Sequence, residues 1–264
     1  MKSKKIIRAG DGPTVNGVNA YNDEAEVFNK DVLKYCEYGD DGFPAVQYGD
    51  FIKAAYFNPY AKEWREVDYD RWEFTGREIG LDEFLKNLKE GGGQFPFDPK
   101  MALKFAAKAH EGQFRKDGVT PYIEHPKAVV KMLNGWGITR PRLICAAYLH
   151  DVLEDTDVTE DEIAKRFTFF VSATVKTLTR EAEEDKADYL KRIAGSGVNA
   201  LLIKCADRIC NTLDFIRDGK ADYARTYFHM ADCVFNALYN DAFVPEKIKG
   251  KVRKAAETLS RRLD

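Results

Sequence analysis

The pattern of apolar and polar positions changes period once along the chain, near Gly91-Gly92-Gly93-Gln94. Before that point, short alternating stretches such as Ala45-Val46-Gln47-Tyr48 and Trp64-Arg65-Glu66-Val67-Asp68-Tyr69 read as strands broken by Gly, Asp and Asn turns. One short helix is predicted at about Leu81 to Leu88. This reads as a small α+β domain over residues 1–94 that ends in a flexible joint. After the joint the apolar spacing becomes three-to-four. Asp98-Pro99 suits an N-cap followed by proline in the first turn, opening an Ala-rich helix through about His110. Further helices are predicted at about Pro126 to Leu133, Arg142 to Leu153, Glu160 to Arg166, Val171 to Leu178, Lys186 to Ala194, Ala200 to Leu213, Ala221 to Tyr239 and Pro245 to Leu263. Residues 95–264 are therefore expected to be nearly all α, making the fold mainly α, with no internal repeat.

Three polar placements break the apolar pattern. In the helix predicted from Arg142, the stripe runs through Leu143, Ala146, Ala147 and Leu153, and His150 falls inside it. Asp151 is its neighbour; Glu154 and Asp155 follow one turn beyond the pair. In the helix predicted from Ala200, Asp207 sits among Ile203, Ala206 and Cys210. A buried carboxylate is costly unless a cation meets it, so a metal ion, or Lys204 or Arg208 folding back, is expected against Asp207. In Pro121-Tyr122-Ile123-Glu124-His125-Pro126, the proline can start a helix and His125 stands at its mouth. His125, His150, Asp151 and Asp207 then form a mixed imidazole and carboxylate set, which suits manganese, iron or zinc better than calcium or magnesium. Taken singly, an inward histidine also reads as a hydrogen-bonded core residue, Asp151 as a helix-surface acid, and Glu154-Asp155-Thr156 as a helix end with Asp157 or Thr159 capping the next segment. Spacing alone leaves both readings open.

Charge and cysteine content narrow the function classes. A formal net charge of −2 argues against non-specific nucleic-acid binding, while leaving room for a local basic pocket around a small polyanion. Cys36, Cys145, Cys205, Cys210 and Cys233 include no CxxC pair, so they read as reduced and mostly core. No apolar run is long enough to span a bilayer, and the stretch after Met1-Lys2-Ser3-Lys4-Lys5 is too short for a secretory signal; a cytoplasmic location without membrane attachment is expected.

The string Ala109-His110-Glu111-Gly112-Gln113-Phe114-Arg115-Lys116-Asp117-Gly118-Val119-Thr120-Pro121-Tyr122-Ile123-Glu124-His125-Pro126, then Leu149-His150-Asp151-Val152-Leu153-Glu154-Asp155-Thr156, then Ile203-Lys204-Cys205-Ala206-Asp207-Arg208-Ile209-Cys210-Asn211, resembles the HD-type hydrolase domain of RelA/SpoT proteins in order and spacing. The likeness covers roughly Asp98 to Phe215, and fewer than 50 residues follow, so no synthetase half is expected and the stand-alone small alarmone hydrolases, including metazoan SpoT homologues, are the better likeness. The resemblance implies an all-helical HD phosphohydrolase fold behind the small α+β domain. It implies that His125, His150, Asp151 and Asp207 hold one divalent ion, usually manganese, and that Glu154 and Asp155 act around the attacking water. Arg115 and Lys116 match residues that embrace guanine and phosphates, Asn211 a ribose or base contact, and Tyr122 a further substrate contact; His110 is read as a structural histidine beside the site. Two positions depart from the family pattern: Leu213 stands where an Arg is common, and Thr168 where a Gly is usual.

The implied reaction is metal-dependent removal of the 3′-pyrophosphate from (p)ppGpp to leave GDP or GTP. The alternatives are another nucleotide, such as ppApp or NADPH, or a non-catalytic alarmone sensor or antitoxin acting through residues 1–94. That first domain resembles no family. Its aromatics Tyr56, Phe57, Tyr60, Trp64 and Trp72 read as core before interface, and a homo-oligomer contact, a protein partner or a lid over the site are equally open for it.

Overall fold

The computed structural model describes residues 14–15, 18–19, 33–38, 43–48, 53–67 and 78–263. Two short strands, β1 (Thr14–Val15) and β2 (Val18–Asn19), pair antiparallel. Five more, β3 (Leu33–Tyr38), β4 (Phe43–Tyr48), β5 (Lys53–Asn58), β6 (Glu63–Glu66) and β7 (Glu78–Ile79), form an antiparallel sheet of order β6-β5-β4-β3-β7. Opposed pairs such as Val46 with Ala55 and Phe57 with Trp64 put their side chains into the core. Phe57 and Trp64 are buried as expected, Tyr56 stacks on Tyr38, and Tyr60 is 83% exposed; Trp72 lies outside the described residues.

Helix α1 (Leu81–Glu90) buries Phe84 and Leu88, one turn apart, and lies against β3 and β4. The glycines that follow, predicted to be a flexible joint, form a packed turn. Gly92 adopts φ +76°, and a Cβ at Gly93 would overlap Leu88 and come within 2.8 Å of the Phe57 ring. Trp64 Nε1 donates to the Gln94 carbonyl at 3.2 Å, and one apolar cluster runs from the sheet into the helices.

The helical part continues with α2 (Pro99–Ala109), α3 (Glu124–Trp136), α4 (Pro141–Leu149), α5 (Val152–Asp155), α6 (Glu160–Leu178), α7 (Lys186–Ala194), α8 (Val198–Arg217), α9 (Ala221–His229), α10 (Asp232–Asn240) and α11 (Glu246–Leu263). Asp98 caps α2 by accepting from Lys100 N at 2.8 Å, as the sequence predicts, a contact worth about 1 kcal/mol. Thr159 and Glu162 form a reciprocal capping box on α6. Strand β6 packs on α6, where Lys165 reaches Glu63 at 3.7 Å. Among the described residues no helix is long and apolar enough to cross a membrane.

Three stretches divide into helices differently from the prediction. The helix expected from Arg142 to Leu153 breaks at His150 and Asp151, where the His150 ring engages the Ala147 carbonyl that a continuing helix would offer to Asp151 N–H. The helix expected over Ala221 to Tyr239 is two, although Ala224, Phe228, Ala231, Phe235 and Leu238 keep three-to-four spacing through the turn. That unbroken spacing hides the bend. Conversely, the two segments expected around residues 167–170 join into α6 across a sharp kink at Thr168, φ +71° and ψ 159°. Ser172 Oγ there donates to the Glu160 carbonyl at 2.9 Å, whereas twelve residues of straight helix would separate them by about 18 Å.

Cys145, Cys205 and Cys210 are buried and Cys233 half-buried, all as thiols; the side chain of Cys36 lies outside the described residues.

Candidate functional site

The loop between α2 and α3 is a miniature hairpin. Phe114 pairs with Pro121, Arg115 N donates to the Thr120 carbonyl at 2.7 Å, and Gly118 supplies the positive φ, +72°, that the turn requires. Asp117 closes it, accepting from the Thr120 hydroxyl at 2.6 Å and from the amides of Thr120 and Val119. These bonds lower its carboxyl to about 2. The hairpin delivers Arg115, Lys116 and Tyr122 next to the first turn of α3, which holds His125; α3 begins two residues ahead of the predicted Pro126 start.

His125, His150 and Asp207 converge, each with a potential ligand atom within 4.8 Å of the others, and all are buried. His125 Nε2 lies 3.1 Å from Asp207 Oδ1, and His150 Nε2 lies 3.9 Å from the same oxygen. Asp151 Oδ2 completes the group at 3.1 Å from His150 Nε2 and 3.6 Å from His125 Nε2. His150 Nδ1 donates to the Ala147 carbonyl at 2.8 Å, which leaves its Nε2, without a hydrogen-bond partner, turned into the cluster. Burial opposes charging His150, yet the carboxylates of Asp151 and Asp207 raise it to about 10. Burial likewise resists ionising the two acids, but His150 and His125 hold Asp151 well below the usual carboxylate range, and Lys204 and the imidazoles do so for Asp207. The cluster therefore demands positive charge, and two imidazoles with carboxylate oxygens are a donor set able to hold a divalent metal.

Of the partners that the sequence left open for Asp207, Lys204 is the one in contact with it. Its Oδ2 pairs with Lys204 Nζ at 2.8 Å while Oδ1 faces the imidazoles; Arg208 turns away onto the Tyr227 ring, 3.9 Å from its centroid.

The acid pair lies beside the cluster in a cleft of about 350 Å³. Glu154 Oε2 accepts from Arg180 N at 3.1 Å, and burial, with the Asp151 charge, pushes its carboxyl up against that hydrogen bond. The Tyr122 hydroxyl lies 2.6 Å from Asp155 Oδ2 and 2.8 Å from Asp151 Oδ2, so one proton serves two carboxylates. Burial and the Asp151 charge raise that phenol, which stays protonated. Gln113 Nε2 donates to the Asp155 carbonyl at 2.6 Å, and His110, buried as expected, bonds Gln113 Oε1 and stacks on the Tyr122 ring.

Of the residues matched to substrate contacts, Asn211 donates to Asp207 Oδ1 and accepts from Arg115 Nη2 at 2.7 Å. Arg115 also pairs with Asp214 at 2.8 Å, and Lys116 Nζ lies 4.7 Å above the Phe215 ring. The cleft adds groups that spacing did not single out: Arg180, Lys186, Tyr223 and Tyr227. The two tyrosines, four apart on α9, are the pair that a helical-face count could have found. Arg180 is held by a network behind the cleft. Arg192 pairs with Glu184 at 2.7 Å through both Nε and Nη2 and donates to the carbonyls of Thr177 and Thr179, while Arg180 Nη1 donates to the Glu184 carbonyl at 2.9 Å.

Comparison with known proteins accords with this geometry. A human protein named guanosine-3′,5′-bis(diphosphate) 3′-pyrophosphohydrolase MESH1 is 36% identical over 151 residues, covering 52% of this chain and 82% of that protein. A guanosine-3′,5′-bis(diphosphate) 3′-pyrophosphohydrolase of Aquifex aeolicus is 36% identical over 152 residues, or 54% of this chain and 22% of that longer protein. A solved structure described as a metazoan ortholog of SpoT that hydrolyzes ppGpp superposes with a TM-score of 0.51 at 27% identity, covering 62% of this chain and 96% of its own. Residues 102–240, which carry all the groups of the buried cluster, match the family described as HD domain, and the chain belongs to that family.

Proposed function

We propose that the chain is a metal-dependent hydrolase that removes the 3′-pyrophosphate from the guanosine alarmone (p)ppGpp, giving GDP or GTP and pyrophosphate. The observation that carries this reading is the buried cluster of His125, His150 and Asp207, with Asp151 alongside, opening on a cleft that holds both acids and cations. The names of the relatives support the same substrate. We assign the metal to these four side chains, whose mixed donors and free His150 Nε2 suit manganese, iron or zinc, and its identity to manganese, as the resemblance to the RelA/SpoT hydrolases implies. When bound, the ion would supply Lewis-acid polarisation of the phosphoryl group and a water of lowered pKa.

Glu154, its carboxyl raised by burial and by the Asp151 charge, accepts the proton of the attacking water. Asp155, fixed by Tyr122 and Gln113, orients that water. The water oxygen bonds to the phosphorus next to the ribose, the bond from that phosphorus to the 3′ oxygen breaks, and the 3′ oxygen is protonated. Arg180, Lys186 and Lys204 meet phosphate oxygens, while Arg115 and Lys116, with Asn211 between cluster and guanidinium, take the guanine and ribose. Such an enzyme works where its nucleotide is, in the cytoplasm.

The test is to incubate the chain with ppGpp and manganese and follow pyrophosphate release, with Asp151→Ala and a chelator as controls. Turnover lost in both controls supports the assignment; absence of metal-dependent turnover ends it. Bound alarmone persisting uncleaved in saturating manganese makes the chain a sensor, and faster cleavage of ppApp or NADPH in a parallel panel moves the substrate.

A further inference from the structure

A second cleft, of about 800 Å³, opens between α3, α8 and α11. It is distinct from the acidic cleft. On α8 the latter takes Lys204, Asp207, Arg208 and Asn211, whereas Ile209, Cys210, Leu213, Asp214 and Arg217 line the former, on average more than a third of a turn round. Its volume lies in the range of small-molecule sites.

The floor is apolar, built from Met132 and Trp136 of α3, Ile209 and Leu213 of α8, and Ala255 and Leu259 of α11. The rim is cationic: Lys131, Arg217, Lys251, Lys254 and Arg262. On α11, Lys251, Lys254, Thr258 and Arg262 recur at three-to-four spacing, so one stripe of the helix supplies cations directly beside Ala255 and Leu259. Both carboxylates in the lining are already engaged, Glu124 with Lys127 at 2.7 Å and Asp214 with Arg115 and Arg217 at 2.8 and 3.1 Å. Lys131, Lys254 and Arg262 make no ion pair among the described residues. An apolar floor of this size beneath unneutralised cations calls for a ligand of matching polarity.

That polarity also says which ligand. A nucleobase could lay its face on such a floor, but the donors and acceptors round its edge need polar partners at the same depth, and both carboxylates of the lining are already engaged. An aliphatic body has no such requirement. Leu213 sharpens the point, because it offers the floor only aliphatic surface. We propose that this cleft binds an amphiphilic anion of the acyl-carboxylate class, with its chain on the floor and its head among Lys131, Lys254 and Arg262. Arg115 and His125 reach the same lining, so an occupant touches two groups of the hydrolytic site.

The experiment is calorimetric titration of the full chain with dodecanoate below its micellar concentration, with ATP and inorganic phosphate as parallel probes. Saturable one-to-one binding of dodecanoate alone is the expected result. The double variant Lys254→Glu with Arg262→Glu changes only exposed rim residues and is expected to weaken it by about tenfold or more. Leu213→Arg, which fills the floor, is expected to abolish it. The proposal is overturned if dodecanoate shows no saturable binding, if both variants bind it as the wild type does, or if ATP alone binds in a way the variants weaken. Because binding is read directly, these outcomes do not depend on whether ppGpp is the substrate.

Discussion

Replacing Thr168 by glycine is expected to stabilise the protein. Thr168 sits at φ +71° and ψ 159°, in a region that is essentially confined to glycine, and such strain costs roughly 1–3 kcal/mol. Its hydroxyl is also buried without a hydrogen-bond partner among the described residues, a further penalty of about 1–3 kcal/mol. Against this, glycine loses roughly 0.5–1 kcal/mol more conformational entropy on folding, and removing the buried methyl forfeits about 1 kcal/mol of packing. The balance is centred on a gain of about 2 kcal/mol, within a span of roughly 0–4, and for a chain of this size that central value raises Tm by roughly 4–8 °C. Thr168→Ala separates the two contributions, since it removes the hydroxyl and keeps the Cβ that forbids this backbone. Chemical denaturation with matched m-values is the measurement. If glycine is no more stable than alanine at this position, the strain argument is wrong.

Three further outcomes follow from the site. Tyr122→Phe removes the proton shared by Asp151 and Asp155 and is expected to lower kcat by roughly 10–100-fold with little change in KM; a rise in KM alone would place Tyr122 against substrate instead. Burial raises Glu154, and a base must be unprotonated to act, so activity should fall as pH drops through a value above the ordinary 4.5; Glu154→Gln should erase that limb, and an unchanged profile would sink the assignment. Lys204→Met leaves Asp207 without its ammonium partner, a loss of about 3–5 kcal/mol for a buried pair, which should be largest in chelator and smaller in saturating manganese; equal losses in both conditions would count against a metal beside Asp207.

What the sequence disclosed about this site came from polar residues at apolar positions. His150 and Asp207 could be placed inward because three-to-four spacing is local information, and Asp98-Pro99 announced α2 through cap chemistry that is equally local. Departures from helical geometry were less legible. The His150 ring bonding Ala147 ends α4 without altering the apolar stripe, and Met230-Ala231 bends the chain in step with its period. Thr168 was visible as an oddity, but only the backbone angle explains why glycine would serve there. Arg180 and Lys186 reach the cleft through tertiary folding of the segment after α6, and no spacing rule connects them to His150. Lys204 stood beside Asp207 in the pattern, yet spacing could not say that one carboxylate serves the ammonium and the imidazoles at once.

The Arg192 network has a consequence for selectivity. A cleft wall that carries a cation is often a mobile loop that gathers around whatever anion arrives, and each ligand then bears the entropy of ordering it. Here the segment from Thr177 to Glu184 is riveted from behind by Arg192 and Glu184, neither of which lines the cleft. Arg180 is thus set in place before any nucleotide enters. A ligand whose phosphates are wrongly spaced cannot draw the wall after it, so the cleft discriminates as a rigid gauge does, by refusing what does not fit.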